Sequence, residues 1–157
     1  MMRPRHLFIF LSSLLIGGFL FASGIAQPLE ESDQANTVCD AIQKTVEKYL
    51  GKPYVWGASG LKSFDCSGFV WRIMAENGIL VKRTTARKLY MSLPRAREGS
   101  SYDSRTLVFF DNLKHVGIVK DRESFYHAQV SIGTNLSAFD PYWRRKICGF
   151  RRFPTQS

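Results

Sequence analysis

Between residues 37 and 91, apolar positions recur at the three-to-four-residue spacing of amphipathic helices. The periodic segments are bounded by helix-ending and helix-capping residues, since Gly51 can end the first helix and Thr84 or Thr85 can cap the third. The pattern therefore predicts helices over residues 37–50, 66–77 and 84–91.

The period changes after the long polar stretch of residues 94–105. Short apolar runs bounded by turn residues replace the helical spacing, which is typical of strands. Helices that precede strands, with short connections, favour an α+β domain in which the helices pack on an antiparallel sheet. The predicted strands cover residues 107–110, 115–120, 124–130 and 146–153.

The first residues have the features of a secretory signal peptide. Arg3, Arg5 and His6 form a basic start, an apolar run follows, and small residues lead up to Ala26. We expect residues 1–26 to be a leader cleaved after Ala26, which exports the protein to the periplasm or cell envelope. The alternative is an uncleaved N-terminal anchor, and only then would the protein contact a membrane.

Residues 27–36 are polar and acidic, and they predict a flexible lead-in. All the predicted helices and strands then fall within residues 37–153, which is long enough for one domain with one core.

The chain of 157 residues carries a net charge of +9, which favours an anionic partner such as a cell-wall polymer, a membrane surface or nucleic acid. It has no nucleic-acid-binding motif and no basic run interleaved with aromatic residues on a predicted helix. No nucleic-acid partner is therefore predicted, and we favour a solvated surface over a specific patch as the explanation of the charge.

The second predicted helix begins at a cysteine. Asp65 is a favourable N-cap residue, and Gly78 can adopt the left-handed conformation that closes the helix. Cys66 therefore lies at the positive end of the helix dipole, which favours a nucleophilic thiolate. The alternative is that Cys66 is a small, buried hydrophobic residue.

Two histidines follow the leader, and both lie on predicted strands. A hairpin turn centred on Asp121 would place His115 directly opposite His127. Directly opposed residues share a face, with Cβ atoms about 5 Å apart, so one imidazole could hold the other. A slip of one residue would separate them, and each histidine alone could be a structural residue.

Cysteine and histidine together fit nucleophilic catalysis, with Cys66 as thiolate, His115 as general base and His127 as the group that orients it. A coupled thiolate and His115 should keep Cys66 reactive toward alkylation well below the pH at which a free thiol becomes inert. The cysteine and histidine spacings match no structural zinc pattern, so no metal is predicted.

Several short motifs lie along the chain from about Thr37 to Phe153. They are Pro53–Gly57, Phe64–Val70, Arg83–Thr85, Leu107–Phe110, His115–Ile118, His127–Ala128 and the closing segment from Tyr142 to Arg152. Each motif alone is common, but in their order and spacing they resemble the NlpC-type bacterial cell-wall cysteine peptidases.

The resemblance implies a papain-like fold and a peptidoglycan endopeptidase that requires no cofactor. Its substrates would be stem peptides, cut between γ-D-glutamate and the diamino acid or at the cross-link. Targeting would come from the domain, its charge or a regulatory protein partner. Two alternatives stay open: a catalytically silent wall-binding or scaffold protein, and a thiol acyltransferase or amidase of the same fold.

The resemblance also assigns roles to residues near the catalytic group. Tyr54 would donate its hydroxyl to the tetrahedral oxyanion, or else be a buried tyrosine. Ser67 would bind substrate or form a structural hydrogen bond. Arg83 would hold a stem-peptide carboxylate, or else lie on the surface.

Cys39 and Cys148 are left once Cys66 is assigned to catalysis. Export would permit a disulfide between them without requiring one. Two free thiols are the alternative, and we favour it, because Cys39 lies on an apolar stripe and Cys148 in a predicted strand.

Overall fold

The computed structural model describes residues 28–97 and 99–154, so the predicted signal peptide, residues 1–26, lies outside the described residues. Within the described ranges the chain forms four helices and five strands. The helices are α1 (Pro28–Lys48), α2 (Cys66–Glu76), α3 (Ala86–Ser92) and α4 (Pro141–Arg144). The strands are β1 (Thr106–Phe110), β2 (His115–Val119), β3 (Ser124–Gln129), β4 (Gly133–Ala138) and β5 (Ile147–Arg152).

The strands form one antiparallel sheet in the order β4-β3-β2-β1-β5. Consecutive strands pair along β1 to β4, and β5 returns to pair with β1. The central strand is therefore β2, which begins at His115, and β4 and β5 form the two edges.

Helices α1, α2 and α3 pack on one face of the sheet. Leu107 and Phe109 of β1 point into a large buried cluster that includes Val46 of α1 and Phe69 and Ile73 of α2. Alternate residues of a strand face opposite sides, so the residues between them form a second cluster. That smaller cluster contains Val108, Phe110, Val119, Phe125 and Phe139, with Trp143 packed against it. The predicted α+β arrangement is confirmed.

The first helix starts earlier than its apolar stripe. It begins at Pro28, so the prediction of a flexible lead-in over residues 27–36 is wrong from Pro28 onward. Proline is tolerated in the first helical turn because its missing N–H would have no partner there. The stripe instead marks the part of α1 that packs, where Ile42 and Val46 are buried. Among the described residues, no helix has the length and apolar composition needed to cross a membrane.

Two elements have no counterpart in the predicted set. Strand β4 is an edge strand in which polar residues and exposed Leu136 replace a clear apolar alternation. Helix α4 has one turn, with Asp140 as its N-cap and Pro141 at its first position. Both elements lie beside the candidate active site described below.

The start of α2 packs closely against the loop that precedes it. A Cβ atom at Gly68 would lie 2.0 Å from the carbonyl oxygen of Ala58, so only glycine permits this approach. The same carbonyl accepts a hydrogen bond from the Asp65 N–H at 2.9 Å. The loop that follows Tyr54 is thereby held against the helix start.

Candidate active site

Cys66 is the first residue of α2, as predicted. Asp65 is its N-cap, and the Asp65 Oδ1 atom accepts a hydrogen bond of 2.6 Å from the Gly68 N–H. The Cys66 side chain is only 7% exposed. The helix start therefore holds the thiol in a fixed and largely dry position.

Ser67 and Arg83 bind Asp65 rather than facing an open site. The Arg83 guanidinium lies 2.8 Å from Asp65 Oδ2 and 3.0 Å from the Ser67 hydroxyl, which itself donates to Asp65 Oδ1 at 2.9 Å. Asp65 Oδ2 also accepts a 2.9 Å bond from the Gly57 N–H. The structure therefore favours the structural alternative for Ser67, and it places Arg83 in an internal ion pair instead of leaving its fork free for a substrate carboxylate.

The two histidines meet, although not in the predicted register. His127 pairs with Gly117, so the hairpin is shifted by two residues from the predicted pairing of His115 with His127. Because side chains alternate with a period of two, this shift leaves both imidazoles on one face as diagonal neighbours. The His115 Nε2 and His127 Nδ1 atoms lie 2.8 Å apart.

The turn explains the difference in register. The carboxylate of Asp121 accepts bonds of 2.8 Å from the N–H groups of Glu123 and Ser124, and 2.9 Å from the Ser124 hydroxyl. The Asp121 side chain therefore begins the turn rather than occupying its centre, and the strands pair two residues further along.

The thiol of Cys66 lies against the backbone on both sides of His115. Its Sγ atom is 3.8 Å from the carbonyl oxygen of Lys114, and the N–H of Val116 also interacts with the sulfur. Since Nε2 of His115 is engaged with His127, Nδ1 is the ring nitrogen left to serve the thiol. The structure thus joins the two imidazoles directly and places the thiol against the backbone on either side of His115.

Trp143 of α4 covers the two imidazoles. Its ring stacks on His115 with centroids 5.6 Å apart and planes at 26°, and it meets His127 edge-on at 5.0 Å. Phe110 and Phe125 support the indole from the sheet, at 4.9 Å and 5.3 Å. The sequence motif contained Trp143, but no local pattern indicated that it would shield the histidines from water.

Burial controls the protonation of the site. Desolvation lowers the pKa of His115 to about 4, and desolvation together with the neighbouring His115 lowers the pKa of His127 to about 3. Desolvation and the Asp65 charge raise the pKa of the Cys66 thiol to about 11. At neutral pH the structure therefore holds a neutral thiol beside neutral imidazoles, which contradicts the expectation of a preformed thiolate.

We now expect alkylation of Cys66 by iodoacetamide at pH 6 to 7 to be slower than that of the exposed Cys148, because only the thiolate reacts and burial disfavours it. Peptide mapping after short pulses over a pH series would measure both rates in one protein, and a Cys39→Ser background would simplify the maps. Reaction at Cys66 that outpaces Cys148 and persists into acid would restore the ion-pair interpretation.

A cavity of about 530 Å³ opens beside His115. Lys146 and Asp111 form an ion pair at its edge, with Nζ 3.3 Å from Oδ1. The charge of Asp111 raises the pKa of His115 and that of Lys146 lowers it, although burial outweighs both. The cavity is lined by Tyr54, Asp111, Asn112, Lys114, His115, Ala128, Gln129, Val130, Tyr142, Trp143 and Lys146.

The backbone that leads into His115 is strained. Asp111, Asn112 and Leu113 have φ values of 52°, 53° and 66°. This is the left-handed conformation, which is unfavourable for residues other than glycine. Arg87 donates a 2.8 Å bond to the Asn112 carbonyl and braces this turn from α3. The strain lies at the cavity rim, directly before the candidate base.

Tyr54 lines the cavity and lies close enough to Cys66 and Asp65 for their charges to affect it. Desolvation, followed by these two charges, raises the pKa of Tyr54 to about 12. The hydroxyl therefore remains protonated and able to donate a hydrogen bond. The oxyanion role of Tyr54 stays a prediction.

The cysteines outside the candidate site raise the question of a disulfide, and the acidic, cysteine and histidine side chains raise that of a metal site. Cys39, Cys66 and Cys148 are all free, and Cys148 is exposed, so the structure has the two free thiols that we favoured rather than a disulfide. In the part of the chain that the structure describes, no three His, Cys, Asp or Glu side chains are grouped to hold a metal ion.

Comparison with protein families gives a match to the NlpC/P60 family over residues 51–152. The chain belongs to the NlpC/P60 family. The matched segment contains Cys66, His115 and His127, and it confirms the resemblance drawn from the short motifs.

Curated relatives agree with this NlpC/P60 assignment. The protein named "Probable endopeptidase p60" of Listeria innocua is 34% identical over 115 residues, covering 71% of this chain and 24% of the relative. "Murein DD-endopeptidase MepS/Murein LD-carboxypeptidase" of Escherichia coli K12 is 34% identical over 126 residues, covering 75% of this chain and 66% of the relative. The chain thus spans about a quarter of p60 and two thirds of MepS.

The fold also matches solved structures of the family. A Staphylococcus aureus Mu50 protein, described as similar to lipoprotein and of the NLP/P60 family, superposes with a TM-score of 0.67 and 28% identity. The match covers 77% of this chain and 43% of that protein. The papain-like α+β class implied by the motifs is therefore confirmed.

Proposed function

We propose that this protein is an exported peptidoglycan endopeptidase that hydrolyses an amide bond of murein stem peptides through Cys66, His115 and His127. The observation that carries the proposal is the 2.8 Å bond between the imidazoles, which leaves His115 Nδ1 for a thiol held beside the same residue. The names of p60 and MepS, endopeptidases of this family, support the substrate class.

The reaction starts from a neutral thiol. As a substrate carbonyl approaches, the Cys66 proton moves to His115 Nδ1 and the sulfur bonds to the carbonyl carbon. The tetrahedral intermediate collapses when imidazolium His115 returns the proton to the leaving amine nitrogen, and a thioester remains. Water, deprotonated by His115, then attacks the thioester and releases the carboxylic acid and the thiol.

The oxyanion is stabilised by the Tyr54 hydroxyl and the Cys66 backbone N–H. The N–H lies in the first turn of α2, where it has no partner within the helix. Both donors are neutral and fixed, and they act in a water-poor site, where such donors are most effective. The Tyr54 pKa of about 12 keeps the phenol proton in place at neutral pH.

The cavity of about 530 Å³ is large enough for a short peptide. The side chains of Lys114 and Lys146, the latter partly neutralised by Asp111, give its rim a positive character. Stem peptides carry carboxylates, and a cationic rim would attract them. This proposal includes export by the leader, with cleavage after Ala26, since the substrate lies outside the cytoplasm.

Digestion of purified muropeptides, followed by mass spectrometry of the products, tests the proposed function. The expected result is a pair of fragments whose masses sum to the substrate plus one water, with a new free amine and carboxylate. Exchange of one acyl acceptor for another would indicate an acyltransferase. No change in any muropeptide, with protein shown to be folded, would contradict the proposal and favour a scaffold role.

A further inference from the structure

We propose that Ser137 and Asn135, two side chains of the edge strand β4, are positioning residues that fix the tautomers of both histidines. Their effect is to leave a lone pair on His115 Nδ1, where it can accept a proton. This inference rests on the proposed function for its catalytic consequence, but the tautomers themselves can be measured independently of hydrolysis.

The chain of hydrogen bonds starts from an amide whose orientation is determined. The Asn135 Nδ2 atom lies 2.8 Å from the carbonyl oxygen of Gly133. A carbonyl only accepts, so the NH₂ group must face it, and the Asn135 Oδ1 atom must face the other way. That oxygen lies 3.1 Å from the Ser137 hydroxyl oxygen.

The serine transmits this direction to His127. Ser137 has one hydroxyl proton, and the Asn135 Oδ1 atom can only accept, so the proton lies between these two oxygens. The Ser137 oxygen is also 2.9 Å from His127 Nε2. With its proton already donated, Ser137 accepts, and His127 Nε2 must carry the hydrogen.

The hydrogen on His127 Nε2 determines the tautomer of His115. Neutral His127 with a hydrogen on Nε2 has a lone pair on Nδ1, which lies 2.8 Å from His115 Nε2. His115 must therefore donate from Nε2, and its own Nδ1 is left as a proton acceptor. The opposite direction would put a hydrogen on His115 Nδ1, and the base could not take the proton of Cys66.

Neutral imidazoles are required for this argument, and the surroundings favour them. Trp143 and Phe125 cover His127, which is fully buried, with ring centroids at 5.0 Å and 4.7 Å. The ionisable groups that act on the imidazoles are Asp111 and Lys146, which act on His115, and His115 itself, which acts on His127. Asn135 also contacts the His127 ring directly and raises its pKa, in opposition to burial.

Strand β4 is suited to this positioning role because it has a second anchor besides its pairing with β3, the strand of His127. The Thr134 N–H donates to the Lys52 carbonyl at 2.9 Å, and its hydroxyl accepts from the Lys52 N–H at 2.8 Å. Asn135 and Ser137 are partly exposed, whereas Thr134 is buried. Truncating the two polar side chains should therefore leave the fold intact.

Nitrogen-15 NMR of histidine-labelled protein at pH 7 reads the tautomers directly. Wild type is expected to show the rings of His115 and His127 with hydrogen on Nε2. The double variant Ser137→Ala/Asn135→Ala should place hydrogen on Nδ1 in a substantial fraction of molecules. Ser137→Thr, which keeps the hydroxyl, should retain the wild-type tautomers, and Leu136→Ala is a matched control on the same strand.

Kinetics on muropeptides tests the catalytic consequence. The double variant should lose about 10-fold or more in kcat, a part of the 10²–10⁴ that general acid–base catalysis supplies, with a shifted pH profile and little change in KM. Ser137→Thr should restore kcat, and Leu136→Ala should leave it unchanged.

The two readouts separate the possible failures. Wild-type tautomers in the folded double variant, or hydrogen on Nδ1 of His115 in wild type, would overturn the positioning role whatever the activity. Absence of hydrolysis in wild type, with the expected tautomers present, would overturn the proposed function while leaving the tautomer assignment standing.

Discussion

Alanine in place of Cys66 is expected to abolish muropeptide hydrolysis while the protein stays folded. In the proposed mechanism the thiol forms the covalent bond to the substrate, so its loss should reduce kcat by a factor on the order of 10⁴ or more. Cys66→Ser should be nearly as inactive, because the hydroxyl is a far weaker nucleophile at this site. Product analysis by mass spectrometry, with circular dichroism to confirm folding, measures both effects.

The chain offers matched controls for this experiment. Cys148→Ala removes an exposed cysteine on β5 that does not line the cavity, and it should retain full activity. His115→Ala should lose nearly as much as Cys66→Ala, by roughly 10²–10⁴-fold, since the base is gone. His127→Ala should lose less, because it orients the base. Activity near wild type in folded Cys66→Ala protein would end the peptidase interpretation.

Acidification from neutral pH is expected to destabilise the protein before most of its carboxylates titrate. The folded state lowers the pKa of His115 from 6.5 to about 4 and that of His127 from 6.5 to about 3. Below pH 6.5 the unfolded chain therefore takes up protons on these histidines that the folded chain does not bind. The contribution of the two histidines to the free energy of unfolding is fully present above pH 6.5, and it is lost as the pH drops toward 3.

The size of this loss follows from the shift. One pKa unit corresponds to about 1.4 kcal/mol, so His115 alone should remove on the order of 3 kcal/mol. Urea unfolding at several pH values would measure it. The double variant His115→Gln/His127→Gln is the control, because it keeps every carboxylate. Equal pH slopes for both proteins between pH 6.5 and 4 would show that the histidines are not buried in neutral form.

Local sequence rules described the helical part of the site well. Asp65 caps α2 and places Cys66 at its start because capping depends only on residues a few positions apart. Thr85 caps α3 for the same reason. The face shared by His115 and His127 was also predictable, since alternation along a strand survives a register shift of two residues.

Features that depend on distant packing were not predictable from local patterns. Trp143 reaches the imidazoles from a one-turn helix, and the order of the sheet had to be known before its position could be inferred. The same applies to Ser137, which lies on a mostly polar edge strand. The expectation of a Cys66 thiolate rested on the helix dipole, which is visible in the sequence, whereas the burial that raises the pKa of this thiol is not.

The contacts that anchor β4 beside the candidate site join distant parts of the chain, so we expect them to form late in folding. Thr134 binds Tyr49 and Lys52, which precede it by 85 and 82 residues, and such distant contacts form slowly because a long loop must close first. The thiol comes from a helix and the imidazoles from the sheet, so neither part can act alone. A chain in which this closure is incomplete would therefore lack the anchored edge strand that contacts His127.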